Sequence, residues 1–237
     1  TVEDIPSLSE RYRHAQTPES RAMVIETIGT IKSQYTLPIL LEAATTDDEG
    51  VRDTAYAALD VLCSAASYRS GPFSAPNPFA DLSGVMSALA GFAMDTAHDD
   101  AQRTVALGLL AHKVTVDFEH DFDTLHTMTT HAESRVRGCA LLLLRTLVNV
   151  SIRQTSYGQE KRLSASTQTR LREVLTRLIQ DPVPEVRVLA LQCAADMVSS
   201  GGELDGALED VVLRALQAVD APVGVRGAAL EVVHALH

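Results

Sequence analysis

The sequence predicts an all-α fold, an α-α superhelix (solenoid) of about six stacked helix pairs, and three observations carry that prediction. Hydrophobic residues make up 46% of the 237 positions while aromatics make up 4% and Trp is absent. An interior built from Leu, Val, Ala and Ile suits helices packed in short pairs better than it suits a β-sandwich. A Val-Arg pair, or a bare Arg, recurs after an acidic corner at repeat-sized intervals, and each recurrence opens a stretch with helical apolar period.

The clearest copies of the corner are Asp47-Asp-Glu-Gly-Val51-Arg52, Glu133-Ser-Arg-Val136-Arg137, Asp181-Pro-Val-Pro-Glu185-Val186-Arg187 and Asp220-Ala-Pro-Val-Gly-Val225-Arg226. Weaker copies centre on Arg21, after Thr17-Pro18-Glu19, and on Arg103, after Asp99-Asp100. Successive arginines are 31, 51, 34, 50 and 39 residues apart by subtraction, which brackets a unit of roughly 40 to 47 residues once insertions are allowed. Behind the corners run apolar stripes such as Val51, Ala55, Ala58, Leu59, Leu62, then Val186, Leu189, Ala190, Cys193, Met197, then Val225, Ala229, Val232, Val233, Leu236. Each therefore has one face to bury. Ahead of the corners lie partner helices such as Leu37–Ala44 and Leu171–Ile179, with Asp, Pro or Gly at the bend. The pairs fall at about 3–32, 36–66, 81–116, 121–151, 165–199 and 203–236. Loop insertions are expected near 67–80, which holds three Pro together with Phe73 and Phe79, and near 152–164, which is polar. Phe73 and Phe79 need an apolar surface to rest on, here or on a partner.

Leu37 to Leu62, and Leu175 to Met197 with its Asp181-Pro182 corner and Val186-Arg187, resemble the consensus of HEAT repeats. The resemblance implies one HEAT-repeat solenoid over residues 1–237. It also implies that the second helix of each pair lines a concave side and that corner Asp and following Arg form a hydrogen-bonded ladder between neighbouring repeats. The ladder residues would be Arg52, Arg137, Arg187 and Arg226 with Asp47, Asp181 and Asp220. Arg187→Ala, leaving the Asp181 corner unpaired, is then expected to cost roughly 1.5–3 kcal/mol.

The charge balance of -11 and pI near 5.1 give no electrostatic footprint for direct nucleic-acid binding. Acidic residues dominate 1–60 (11 against 5 basic) and 95–123 (7 against 2), whereas 153–177 reverses the sign (2 against 6). Arg170, Arg172 and Arg177 with Arg153, Lys161 and Arg162 form the basic neighbourhood that would hold an acidic ligand. The densest polar cluster runs from Asp117 through Glu119, His120, Asp121 and Asp123 to His126, flanked by His112 and His131. It reads as a solvated corner. An EF-hand frame from Glu119 would need Gly at Thr124 and Glu at Thr130, and the His spacings do not put two ligands on one helical turn. No metal and no cofactor is expected. Neither a nucleophile elbow, a Walker loop nor a dinucleotide fingerprint is present. HEAT-like glycosylases use aromatics and a basic groove, HEAT-like iron hydroxylases use His-Glu steps, and tubulin-binding domains of this architecture use a Trp and basic corners. The sequence matches none of these patterns.

The expected function is a protein-binding scaffold or adaptor module, a subunit or segment of a multiprotein complex and not an enzyme, with partners that carry basic or extended segments. The alternatives are a HEAT-like enzyme or metal-binding solenoid using the cluster at 112–131, and a tubulin- or nucleic-acid-binding domain. Candidate contacts on the second helices are Asp53, Tyr56, Asp60, His112, Arg145, Asn149, Gln192, Asp196 and Glu231, besides Phe73 and Phe79. No apolar run reaches the roughly 20 residues that span a bilayer. The odd, dispersed cysteines Cys63, Cys139 and Cys193 suit a reducing compartment, cytoplasmic or nuclear. The start at Thr1 and the end at His237 inside a helical pattern are expected of part of a longer chain.

Overall fold

The computed structural model describes residues 1–67, 84–113, 118–156 and 164–236. Among them are twelve α-helices and no strand. They divide into two compact units, Thr1–Val116 and Asp117–His237.

The first unit stacks three antiparallel pairs. Helix α1 (Ile5–His14) has Pro6 in its first turn, where a missing amide costs nothing, and buries Ile5, Leu8 and Tyr12. Thr17 caps α2 (Pro18–Gly29) through a reciprocal box with Ser20: its hydroxyl accepts the Ser20 amide at 3.2 Å, and the Ser20 hydroxyl accepts the Thr17 amide. Helices α3 (Leu37–Ala44) and α4 (Glu49–Ser67) form the second pair, and Arg13 ties α1 to α3 through Glu42 at 2.9 Å. The third pair is α5 (Val85–Met94) with α6 (Asp100–Lys113). Second helices pack on second helices, α2 on α4 and α4 on α6. Val51, Ala55, Leu59, Leu62 and Cys63 fill the α4 seam at essentially zero exposure, as their helical spacing requires.

The second unit repeats the arrangement with α7 (Phe118–Thr129) and α8 (Ser134–Ser156), α9 (Ala165–Leu178) and α10 (Pro184–Ser199), and α11 (Gly206–Gln217) and α12 (Val223–Ala235). Here α8 packs on α10 and α10 on α12. Gly201 closes α10 at φ +81, a conformation that favours glycine, while the Gly202 amide bonds back to the Met197 carbonyl at 3.0 Å.

Two expectations change. Residues 118–129 are helical and not a corner: Phe122, Leu125 and Met128 are buried together with Asp121, while Asp123 and His126 are exposed. Residues 152–156, expected in a polar loop, are helical, because α8 continues to Ser156. Phe73 and Phe79 lie outside the described residues, as do Lys161 and Arg162. All three cysteines are buried, and burial pushes the thiols of Cys139 and Cys193 up to about 12, which leaves them unreactive at neutral pH. Among the described residues no helix is long and apolar enough to cross a membrane.

Candidate functional site

Three of the corner arginines, Arg52, Arg137 and Arg187, follow one geometric rule. Each reaches back to a carbonyl of its own corner six residues earlier: Arg52 Nη1 to Thr46 O at 3.4 Å, Arg137 Nη1 to His131 O at 2.8 Å, Arg187 Nη1 to Asp181 O at 2.9 Å. These carbonyls lie in the corner two or three residues past the end of the first helix, at Ala44, Thr129 and Leu178, so a cation there satisfies their lone pairs and sits near the negative end of that helix. Arg137 does more. Its Nε and Nη2 donate to both carboxylate oxygens of Asp181 at 2.7 and 2.8 Å, and Asp181 belongs to the corner of the next pair. Both side chains are buried. The same carboxylate accepts the Val183 amide at 2.9 Å. Burial alone would raise the Asp181 pKa, but the Arg137 hydrogen bonds, the Val183 amide and the charges of Arg137 and Arg187 outweigh it and hold the carboxyl below its ordinary value.

Asp181 is therefore paired by Arg137 from the preceding pair, and Arg187 takes its backbone carbonyl instead. Asp47 is exposed, and the cap of α4 comes from its neighbour Asp48, whose Oδ1 accepts the Val51 amide at 2.9 Å. The signal was available: Asp48 stands three residues before Val51, the spacing of an N-cap from its third helical amide. Asp220 is exposed and Arg226 half-buried, and neither side chain bonds to another described residue.

The second helices of the Asp117–His237 unit carry a lateral polar network. Arg145 on α8 donates to Asp196 at 2.9 Å and to Gln192 at 2.9 Å, both on α10, and Asn149 Nδ2 reaches the same Asp196 oxygen at 3.3 Å. Four residues expected to face a partner are brought together and hold one another. Glu231 on α12 is exposed. In the Thr1–Val116 unit, Asp53 and Tyr56 are exposed on α4, Tyr56 at 42%, neither bonding to another described residue, while Asp60 is half-buried and His112 is exposed on α6.

The three described arginines of the basic neighbourhood are engaged within their own unit. Arg170 pairs with Asp123 at 2.5 Å and lies 4.2 Å over the Phe122 ring, Arg172 donates to the Glu203 carbonyl at 2.9 Å, and Arg177 donates to the Thr129 hydroxyl at 2.8 Å. These arginines stitch α9 to α7 and to the segment before α11. His131 accepts the Glu133 amide on Nδ1 at 3.2 Å, at the entrance to α8. Among the described residues no three His, Cys, Asp or Glu side chains converge as metal ligands would.

Residues 5–69 match the family model described as HEAT repeats. Among solved structures the chain is similar to Cex1p, with 14% identity, 99% of this chain and 43% of that chain covered, and a TM-score of 0.54. It is also similar to a designed armadillo repeat protein (15% identity, 98% and 100% covered, TM-score 0.47) and to another in complex with the peptide (KR)4 (12% identity, 99% and 100% covered, TM-score 0.48). No curated protein matches the sequence. The fold is that of a HEAT/armadillo-like α-solenoid, an architecture commonly used as a protein-binding scaffold.

Proposed function

We propose that this chain is a protein-binding scaffold, a segment of a larger intracellular complex, whose binding face is the exposed side of α4 in the Thr1–Val116 unit. One observation carries the choice of face. Polar residues on the second helices of the other unit are engaged with each other across α8 and α10, whereas Asp53 and Tyr56 stand exposed and unpaired among described residues. An unpaired carboxylate beside an exposed tyrosine suits a basic, extended segment, with the acid steering the encounter and the ring taking a guanidinium or an aliphatic stem. The unit carries 15 acidic against 8 basic residues, counted over 1–116, so the surrounding field has the same sign. Residues 1–237 act in this reading as one scaffold, with no catalytic role.

A fluorescent octapeptide of alternating Lys and Arg tests it by anisotropy. The expected result is binding that weakens with salt, because exposed charges are screened over about 8 Å at physiological ionic strength. Asp53→Lys should weaken it roughly tenfold, as a like charge placed at an interface does. Glu173→Lys, an equal charge change on the exposed face of α9, should not. Equal weakening by both variants, or no binding by the wild type, would remove the α4 face as the site. Duplex DNA at about 0.15 M salt is expected not to bind, since the phosphate backbone meets a net negative chain.

A further inference from the structure

We propose that the basic segment held at the α4 face seats an aliphatic side chain, beside its cations, in the groove between α2 and α4; this rests on α4 being the binding face. Positions are counted from the arginine that opens each second helix: Arg21 in α2, Arg52 in α4, Arg137 in α8 and Arg187 in α10. Eight places on from Arg137 is Arg145, whose side chain crosses from α8 to α10. There it donates to Gln192 and Asp196, five and nine places on from Arg187. The chain roofs that join with its own arginine. Eight places on from Arg21 is Gly29, and five and nine places on from Arg52 are Ala57 and Val61. The α2/α4 join therefore has neither the long side chain nor its two acceptors.

The same register holds at α2 and α4, because a Cβ at Gly29 would lie 2.7 Å from the Cβ of Ala58, the residue next to Ala57 and one turn before Val61. Gly29 and Ala58 are the half-buried floor, while Ala57 is exposed and Val61 is 47% exposed. The nearby hydroxyls are spent on their own helices: Thr30 donates to the Thr27 carbonyl and Thr54 to the Gly50 carbonyl, both at 2.7 Å. A partner side chain taking the place of Arg145 here must be aliphatic, since a charge seated on hydrocarbon loses water and gains no acceptor. Charge fixes what stands beside it. Glu26, three residues before Gly29, and Asp53, four before Ala57, are each one helical turn away. Both are exposed, and neither side chain bonds to another described residue. They draw cations to either side of the aliphatic residue. The fitting partner thus carries Leu, Ile or Met among Lys and Arg.

Two fluorescent octapeptides of equal charge test this by anisotropy with the whole chain: the alternating Lys and Arg sequence with its fourth residue replaced by Leu in one and by Ser in the other. The Leu peptide should bind roughly tenfold more tightly, the order expected for taking one aliphatic side chain out of water. Val61→Ser, at an exposed position and with an unchanged helical circular-dichroism spectrum, should abolish that preference without weakening the Ser peptide. Asp53→Lys should weaken both peptides alike and keep the preference. Equal affinities in the wild type, or a preference that survives Val61→Ser, would overturn the aliphatic seat and leave the α4 face in place. No binding of either peptide would remove both. A sedimenting mass that rises with concentration in the wild type and not in Val61→Ser would assign the groove to a second copy. A Leu preference seen only after Phe73 and Phe79 are replaced by Ser would assign it to residues 68–83 of this chain. Either result would overturn the proposal.

Discussion

Replacing Arg137 with Ala is expected to cost about 3–5 kcal/mol of stability, the loss typical of removing one partner from a buried ion pair. The size follows from how many groups lose their partner at once. The Asp181 carboxylate, buried at the join between two pairs, would keep only the Val183 amide, and the His131 and Ala132 carbonyls would lose donors at 2.8 and 2.6 Å. Arg187→Ala removes bonds to carbonyls alone, the Asp181 oxygen at 2.9 Å and the Pro182 oxygen at 3.4 Å, so its cost should fall near 1.5 kcal/mol, the low end for a charge-assisted bond. Chemical denaturation of both variants checks the order, and equal losses would refute the assignment of Arg137 as the rung. Acid supplies a second readout. Because the folded-state Asp181 carboxyl titrates below its unfolded value of about 3.9, its contribution is complete above that pH and is lost as the pH falls through the lower, folded-state value. Denaturation followed from pH 6 down to pH 3 should therefore bring the wild type towards Arg137→Ala, whose own dependence should be shallower.

The six helix pairs were legible because an apolar stripe and a corner are local signals, readable within about 20 residues of chain. Pairings between repeats were not local. Arg137 meets a carboxylate 44 positions on, and nothing near Arg137 distinguishes it from Arg187, which meets only backbone. Likewise Arg170, Arg172 and Arg177 read as a basic patch because their acceptors, Asp123, Glu203 and Thr129, come from other helices and are visible only after stacking. Helix α7 was hidden differently: its sequence is so dense in Asp, Glu and His that the period of Phe122, Leu125 and Met128 was outweighed by composition. The second-helix residues were correctly read as lying off the apolar stripe, yet that reading cannot separate Asp53, which faces solvent, from Asp196, which faces Arg145.

Gly29→Ala should destabilise the Thr1–Val116 unit by about 1–3 kcal/mol, the range for a methyl forced into a filled interface. A Cβ at Gly29 would lie 2.7 Å from the Cβ of Ala58 across the α2/α4 seam. Two Cβ atoms have no rotamer to escape through, so the helices themselves must part. The opposing effect is the better helix propensity of Ala, worth up to about 1 kcal/mol in a helix interior and less here, because Gly29 is the last residue of α2. Strain should therefore win. Ala58→Gly in the same chain removes the clash, and the double variant should be more stable than the sum of the two single changes predicts, by roughly the strain that Gly29→Ala introduced. Strict additivity in denaturation would mean that the seam relaxes freely and that the close approach does not set the spacing of α2 and α4. Since Tyr56 and Asp53 ride on α4, a forced separation should also alter peptide affinity on that face, whereas Arg137→Ala, in the other unit, should leave affinity intact under conditions where the protein stays folded.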